Sequence, residues 1–453
     1  MVRRPGDRLR GRRVPVSTSW LRGLLEEPEL ISDMGLPPGG LRNIRMAYAR
    51  SLCLRCKGKG LCGRPDCPFL EALRLFCSSM PDVGLDLEGN SPPAVFVGRM
   101  GYPYVSVGPL VPPLKADTAF FDRPEDWHGL LLAEIIRMRT SLVRGKFVVN
   151  VRKPWKAGKL MERTLELALS KGPVGSELYF RRRPKKVLIL DEGVQPFGPT
   201  GPIRSLEVDA GRWDRRLEKV YSDTDLRASE AVLWLYDRGV PVSEIQRAFS
   251  VGAMGLGHLR RLVPTRWSIT AVDSIISRGL VERIRDRPPL DRYLVFKGSL
   301  LDNHYVIILL PGTWSFELLE AWAPGALWNP SARTCVISDW EGWRGRTTYA
   351  RPGGSYYAAR LAVCEALDRM GRQASAIVMR EVGPGYKFPV GVWQVREAVR
   401  TALRSRPVEA DDLRGALAEA SKALTIPIGV WLRASRLLGD VLHQRKLPDF
   451  LSG

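Results

Sequence analysis

Histidine, asparagine and glutamine are scarce in this chain of 453 residues, and long apolar runs are missing. The histidines are His128, His258, His304 and His443. None stands beside a serine or cysteine elbow, which argues against a hydrolytic triad. Asparagine and glutamine occur five times each, and with abundant Arg and Pro that scarcity points to a heat-adapted source. No stretch approaches the roughly 18 consecutive apolar residues that a membrane-spanning helix needs. The opening residues MVRRPGDRLRGRR lead into no apolar signal region, so the expected location is cytoplasmic and no membrane partner is expected. Internal repeats, heptads and low-complexity tracts are missing too.

Positive charge is what the chain has in excess. Lys plus Arg is 69 and Asp plus Glu is 48, a formal net charge of +21. A surplus of that size recruits polyanions, nucleic acid first and acidic membranes second. Solvated charge networks in a salt- or heat-adapted cell are the plainer source of the same surplus. Hydrophobic residues at 45% and charged residues at 26% exclude a disordered chain. The length suffices for two or three domains with substantial cores.

Seven cysteines are present, an odd number, and four of them fall within CLRCKGKGLCGRPDC. That argues against a secreted disulfide framework and for a metal site in a reducing compartment. Cys53, Cys56, Cys62 and Cys67 follow the spacing Cys-x2-Cys-x5-Cys-x4-Cys, a compact variant of a zinc knuckle. Gly58, Gly60 and Gly63 supply turn conformations between the ligands, and Arg55, Lys57, Lys59 and Arg64 offset the charge of four thiolates around Zn²⁺. A closed four-sulfur site is structural rather than catalytic; an iron–sulfur cluster on the same thiolates stays open. Cys77, Cys335 and Cys364 sit in apolar runs and read as core thiols.

Period and punctuation predict an α/β or α+β chain of two mixed domains with a helical C-terminus. Strands are expected at 94–98, 104–108, 147–151 and 187–190, and helices at 130–137 and 160–169. The segment VQPFGPTGPI (194–203) reads as a loop or an internal border, and 225–262 as helical with a break at 239–241. Beyond a charged, Pro-containing linker, a second unit is expected with an apolar run at 305–310 and a helix at 314–322. A strand at 334–338, a helix at 356–370 and a strand at 376–382 follow. Helices at 392–403, 410–424 and 429–443 close the chain. The expected division is a basic lead at 1–18, an N-terminal domain at 19–282 holding the knuckle, a C-terminal domain at 283–440 and a tail at 441–453.

Several charges lie inside runs that otherwise look buried. They are Arg266 and Asp273 in RWSITAVDS, Asp339 and Glu341 in VISDWEGWR, and Arg380 and Glu381, with Tyr386, in VMREVGPGYKFP. Such charges mark buried ion pairs or a site. A deep pocket where Arg266, Asp273, Arg380 and Glu381 meet would favour an enzyme, and Asp339, Glu341 and Glu381 converging would suit a two-metal nuclease. In the turn Gly98–Pro103, Arg99 is a candidate phosphate clamp. The helix–break–helix segment 229–255 reads as an ordinary hairpin or a DNA-reading unit, with Gln246 and Arg247 outward. Trp340, Trp343, Tyr356 and Tyr357, near Arg344, Arg346 and Arg351, are core residues or a base-stacking surface.

Five strings occur in order after the cysteine cluster: PPAVFVGRMGYPYVSVGPL (92–110), QPFGPTGP, LVPTRWSITAVD (262–273), YYAARLAV and PVGVWQVRE (389–397). Together they resemble the archaeal Nre family of DNA-repair proteins, its NreA branch in particular, over about residues 19–400. The resemblance implies N- and C-terminal regions, a role in repairing damaged DNA, and a C-terminal tail that binds the sliding clamp (PCNA). It implies no particular reaction. The tail carries Gln444, Leu447, Phe450 and Leu451, the clamp-binding pattern Gln-x-x-aliphatic-x-x-aromatic-aromatic with Leu451 in the last place. The expected function is therefore DNA binding and clamp docking during repair. The alternatives are a repair nuclease or nucleotide-handling transferase, and a basic protein associated with RNA.

Overall fold

The computed structural model describes residues 76–186, 191–326, 329 and 333–443. The four-cysteine cluster, the strand expected at 187–190 and the clamp-binding tail at 444–451 lie outside the described residues.

Alternation of apolar and polar side chains builds the first sheet. Its elements in chain order are β1 (Asp86–Ser91), β2 (Val95–Val97), β3 (Tyr104–Val111), α1 (Leu132–Thr140), β4 (Val143–Asn150), α2 (Lys159–Leu169), β5 (Val174–Phe180) and β6 (Thr200–Val208). In β3, Val105 and Val107 turn into the core while Tyr104 faces solvent, the period of two that a half-buried strand requires. The strand order is β1-β5-β6-β4-β3-β2. Only β4 and β6 run parallel. Part of the Pro/Gly segment expected as a loop is thus strand β6. Pro202, which has no N–H to give, stands opposite Lys146 at the last of the three paired positions between β4 and β6.

A helical layer follows: α3 (Arg215–Ser222), α4 (Ala228–Asp237), α5 (Val242–Ser250) and α6 (Thr265–Ile284). Asp214 caps α3, its carboxylate accepting the Arg216 N–H at 2.8 Å. Gly239 breaks the chain between α4 and α5 with φ +71°. Helix α6 is buried around nearly its whole circumference from Trp267 to Ser277. It crosses residue 283, where the sequence suggests a border.

The second sheet contains β7 (Tyr293–Leu300), β8 (Asn303–Leu310), β9 (Ser315–Trp322), β10 (Cys335–Glu341), β11 (Ser375–Val382) and β12 (Val408–Ala410) in the order β10-β9-β11-β8-β7-β12. Helix α7 (Gly354–Met370) precedes β11 and α8 (Trp393–Ala402) follows it. The chain closes with α9 (Leu413–Ser421), α10 (Ile428–Ala434) and α11 (Arg436–His443). Residues 314–322, expected as a helix, form strand β9 instead. It lies between β10 and β11, pairing parallel with β11, and every residue from Phe316 to Trp322 is buried. A strand covered on both faces loses its alternation, so WSFELLEAW has no period of two to show.

One continuous core joins the two sheets: Val105 and Val149 from the first and Tyr305 and Phe316 from the second belong to the same cluster as Val272 and Ile276 of α6. A second cluster, including Ile308, Met379, Trp431 and Leu438, packs the C-terminal helices on the other face of the second sheet. Among the described residues no helix is long and apolar enough to cross a membrane.

Candidate functional site at the meeting of five motifs

The five strings singled out in the sequence come together in space. The backbone N–H of Val97, at the end of β2, donates to Thr265 Oγ1 in the first turn of α6 at 2.9 Å. Tyr102 packs its ring 5.3 Å from that of Trp267. Gly354, at the start of α7, is so close to Val392 and Thr270 that an added Cβ would stand 3.1 and 3.4 Å from their side chains. Gly391 adopts φ +98°, and a Cβ there would lie 2.9 Å from the Val194 carbonyl carbon. Only glycine lets these two backbones approach so closely.

A narrow cavity of about 10 Å³, room for about one water molecule, opens at this junction, lined by Glu192, Trp322, Ser355, Arg380, Tyr386 and Gln394 among others. Arg380 projects from β11 and is buried. Its Nη1 pairs with Glu320 of β9, and its Nε and Nη2 donate to Asn303 Oδ1 at 3.0 and 2.8 Å. The Trp322 and Tyr386 rings stand 5.7 and 5.9 Å from its guanidinium carbon. Burial pushes the Tyr386 phenol up to about 12, although Arg380 pulls it down, so it remains protonated at neutral pH. Tyr305 is raised by burial as well, and its hydroxyl donates to Gln394 Oε1 at 2.9 Å. That room is far short of the roughly 300–1,000 Å³ of ligand pockets that enclose a drug-sized molecule, so it does not engulf a nucleotide.

Asp191 and Gly193 link this cavity to the surface. The Asp191 carboxylate accepts the Gly193 N–H at 2.7 Å and lies 3.6 Å from Arg266 and 4.0 Å from Arg99. Arg266 packs its side chain on Gly193, next to Glu192 of the cavity wall. Of the charged residues picked out by sequence, Arg380 lines the cavity, Arg266 flanks it through Asp191, and Arg99 shares that carboxylate.

The others are committed elsewhere. Asp273 is fully buried in α6 and accepts two contacts from Arg396 Nη1, at 3.0 and 3.1 Å, and one from Gln246 at 2.8 Å. Burial pushes the Asp273 carboxyl up, and the Arg396 and Arg400 guanidiniums pull it back. The network continues through Glu397 to Arg400, whose Nε and Nη2 grip Glu365 at 2.7 and 2.6 Å. Glu381 faces the C-terminal helices, accepting the N–H groups of Thr425 and Ile426, each at 3.0 Å. Asp339 pairs with Arg346 and Glu341 with Arg360, both at 2.8 Å. Among the described residues no group of three or more His, Cys, Asp or Glu side chains is placed to hold a metal ion.

The helix–break–helix segment also differs from expectation in orientation. Gln246 and Arg247 turn inward: Gln246 reaches Asp273, and Arg247 Nε donates to the Ala168 carbonyl at 2.8 Å. A buried carboxylate and an uncapped carbonyl at the end of α2 draw them in. Tyr356 and Tyr357 are core residues, while Trp340 and Trp343 remain partly exposed beside Arg436 and Arg285.

Two family models match the chain in succession: "Archaeal Nre, N-terminal" over residues 61–329 and "Archaeal Nre, C-terminal" over 341–450. The chain belongs to the archaeal Nre family. A "DNA repair protein NreB" of Archaeoglobus fulgidus is 42% identical over 402 residues, 88% of this chain and 100% of that relative. A "DNA repair protein NreA" of the same organism is 38% identical, covering 82% of this chain and 93% of the relative. The "DNA repair protein NreA" of Haloferax volcanii is 36% identical, covering 81% and 89%. No solved structure matches significantly. The Nre strings recognisable in sequence are thus the ones that build the junction. What sequence reasoning missed are the polar residues beside them: Asp191 and Glu192 precede QPFGPTGP, Ser355 precedes YYAARLAV, and Gln394 lies within PVGVWQVRE. Adjacency to those strings was the signal that would have found them.

Proposed function

We propose that this chain is a DNA-repair protein that binds DNA, holds one structural Zn²⁺ and docks on a sliding clamp. One observation carries the reading: relatives bearing the name DNA repair protein match 81–88% of the chain at 36–42% identity. The charge of +21 supports DNA as the polymer on which it works. Cys53, Cys56, Cys62 and Cys67 are the metal ligands, four thiolates that leave Zn²⁺ no open position. Gln444, Leu447, Phe450 and Leu451 form the clamp-binding segment. The i, i+3 and i+4 spacing of Leu447, Phe450 and Leu451 is the one a helical turn formed on the clamp would bring to one face, and burying each there would contribute roughly 1.5–3 kcal/mol.

Titrating an archaeal clamp with the full chain and with a chain ending at His443 tests the docking. The full chain is expected to bind with a Kd on the order of micromolar and the shortened one not to bind. Equal binding by both, or by Phe450→Ala, refutes it. Elemental analysis of the purified chain is expected to give one zinc; no metal, or iron, refutes the zinc assignment.

A further inference from the structure

We propose that the surface built by residues 98–104, 151–156 and 258–262 is a platform for single-stranded DNA. The proposal rests on the reading that the protein works on DNA, and it names the surface and the form of the DNA. The three segments lie side by side: Val151 N–H donates to the Pro103 carbonyl at 2.9 Å, and Leu262 N–H to the Val151 carbonyl at 3.0 Å.

Their charge is one-sided. Residues 92–116, 141–161 and 245–272, which contain these segments, include no Asp or Glu at all. Arg152, Lys153, Lys156 and Arg261 are exposed there. Arg99 is partly exposed and shares Asp191 with Arg266. Beneath the Gly98–Pro103 turn, Arg144 is buried between the Phe96 and Phe197 rings, at 4.5 and 5.3 Å, and donates to Ser106. Among the described residues it forms no ion pair with a carboxylate, so its charge adds to the surface potential. Burial lowers Arg144 only to about 9, which leaves it cationic at neutral pH.

Aromatic faces stand among these cations. Trp155, on a 3-10 turn between Lys153 and Lys156, is 65% exposed, and Tyr104 is 61% exposed on the outer face of β3. Val148, across the β3–β4 ladder and diagonal to Tyr104, is exposed as well. Exposed Trp and Tyr rings among cations offer faces on which planar groups can stack. Duplex DNA hides its base faces and offers such a surface mainly its phosphates, whereas single strands offer bases to stack and phosphates to neutralise together. A membrane headgroup surface would satisfy the charge and could take Trp and Tyr at its interface; the DNA-repair names of the relatives decide for DNA, and vesicles enter the test.

The test is fluorescence anisotropy of a labelled oligothymidylate of twenty nucleotides with the full chain, Trp155→Ala, Tyr104→Ala and Arg152→Glu/Lys153→Glu. A triple variant, Arg181→Ala/Arg182→Ala/Arg183→Ala, removes a separate exposed basic run on the chain and serves as comparator. Thermal melts verify that each variant folds; Trp155 and Tyr104 are surface residues whose truncation leaves the core intact. Trp155→Ala and Tyr104→Ala are each expected to weaken binding by roughly tenfold. The charge-reversed pair is expected to weaken it further, and the comparator by much less. Oligothymidylate binding that is unchanged in the Trp155 and Tyr104 variants overturns the platform while leaving DNA binding in place. So does dependence on the comparator run alone, or a wild-type preference for duplex. No binding of any DNA by the wild type overturns the platform and the wider reading together. Trp155-dependent binding to phosphatidylglycerol vesicles without oligothymidylate binding reassigns the surface to membranes.

Discussion

At the scale of single residues, the most consequential charge is Arg396. It is 1% exposed and Asp273 0%, and the pair ties α6 to α8 with Gln246 of α5 as a third member. Removing one member of such a pair strands the other in a low-dielectric interior. Arg396→Ala is therefore expected to cost about 3–5 kcal/mol, read from urea unfolding. Replacing the pair together, as Arg396→Met with Asp273→Leu, should recover most of that loss, because no orphan charge remains. A single-variant loss below about 1 kcal/mol would show that water reaches the pair. Asp214 makes the opposite kind of contribution, through pH. Hydrogen bonds from Arg216 hold its carboxyl below the usual range, against the pull of burial. The unfolded chain then binds the proton more readily than the folded one. The stabilisation is complete above the ordinary carboxylate value of about 3.9 and is lost as pH falls through the lower folded value. Asp214→Asn keeps the helix cap but not the charge, so the variant's acid-unfolding curve should lose part of its slope below about pH 4. An unchanged slope would remove Asp214 from the account.

At the scale of elements, two glutamates inside the second sheet hold the C-terminal helices. Glu317 of β9 accepts the Arg436 N–H at 2.7 Å and the Leu437 N–H at 3.0 Å at the start of α11, and also the Ser435 hydroxyl. Glu381 of β11 does the same for Thr425 and Ile426 ahead of α10. Each carboxylate satisfies N–H groups that a helix start or a turn would otherwise leave orphaned. Glu381→Ala should loosen the C-terminal end, so that limited proteolysis cuts between α9 and α10 in the variant and not in the wild type; equal cleavage would refute this anchoring role. Sequence could mark Glu381 as a charge in an apolar run, but not whether it faced a cavity or a helix end. That depends on a partner 44 residues away. The same limit explains the other misreadings. Tyr104 and Val105 show alternation because one face of β3 meets water, and that strand was legible; β9, buried on both sides, was not. Gln246 and Arg247 look outward on a helical wheel, yet their partners, Asp273 and the Ala168 carbonyl, come from α6 and α2. The five Nre strings could be read as a set, and the set is the junction, but the pairing of Arg266 with Asp191 rather than Asp273 is a matter of tertiary geometry.

At the scale of the whole molecule, the charge of +21 has to reside somewhere, and its placement makes a prediction separate from any single side chain. Ion pairs consume many of the cations: Arg283 bridges Asp237 and Asp368, Arg292 meets Glu409, and Lys159 meets Glu207. Lys115, Lys159, Arg247 and Arg266 of the acid-free stretches reach carboxylates of other segments, whereas Arg152, Lys153, Lys156 and Arg261 are exposed there, so part of the surplus lies on their face. Cations without carboxylate partners hold counterion-rich polymers by displacing their counterions. Each phosphate neutralised contributes about −0.7 to the slope of log affinity against log salt for single strands, and about −0.9 for duplex. Contact with about five phosphates gives a slope near −3.5 on single strands, or roughly a hundredfold loss between 50 and 200 mM salt. Stacking of bases on Trp155 and Tyr104 is not salt-dependent in this way. Trp155→Ala should therefore shift the whole line to weaker binding without changing its slope, whereas Arg152→Glu/Lys153→Glu should flatten it. Anisotropy titrations of oligothymidylate across that salt range measure both quantities at once. If both variants change the slope alike, the aromatic and ionic contributions are not separable and Trp155 acts only by holding its lysine neighbours in place. If neither changes it, the polyanion is bound on another face of the molecule.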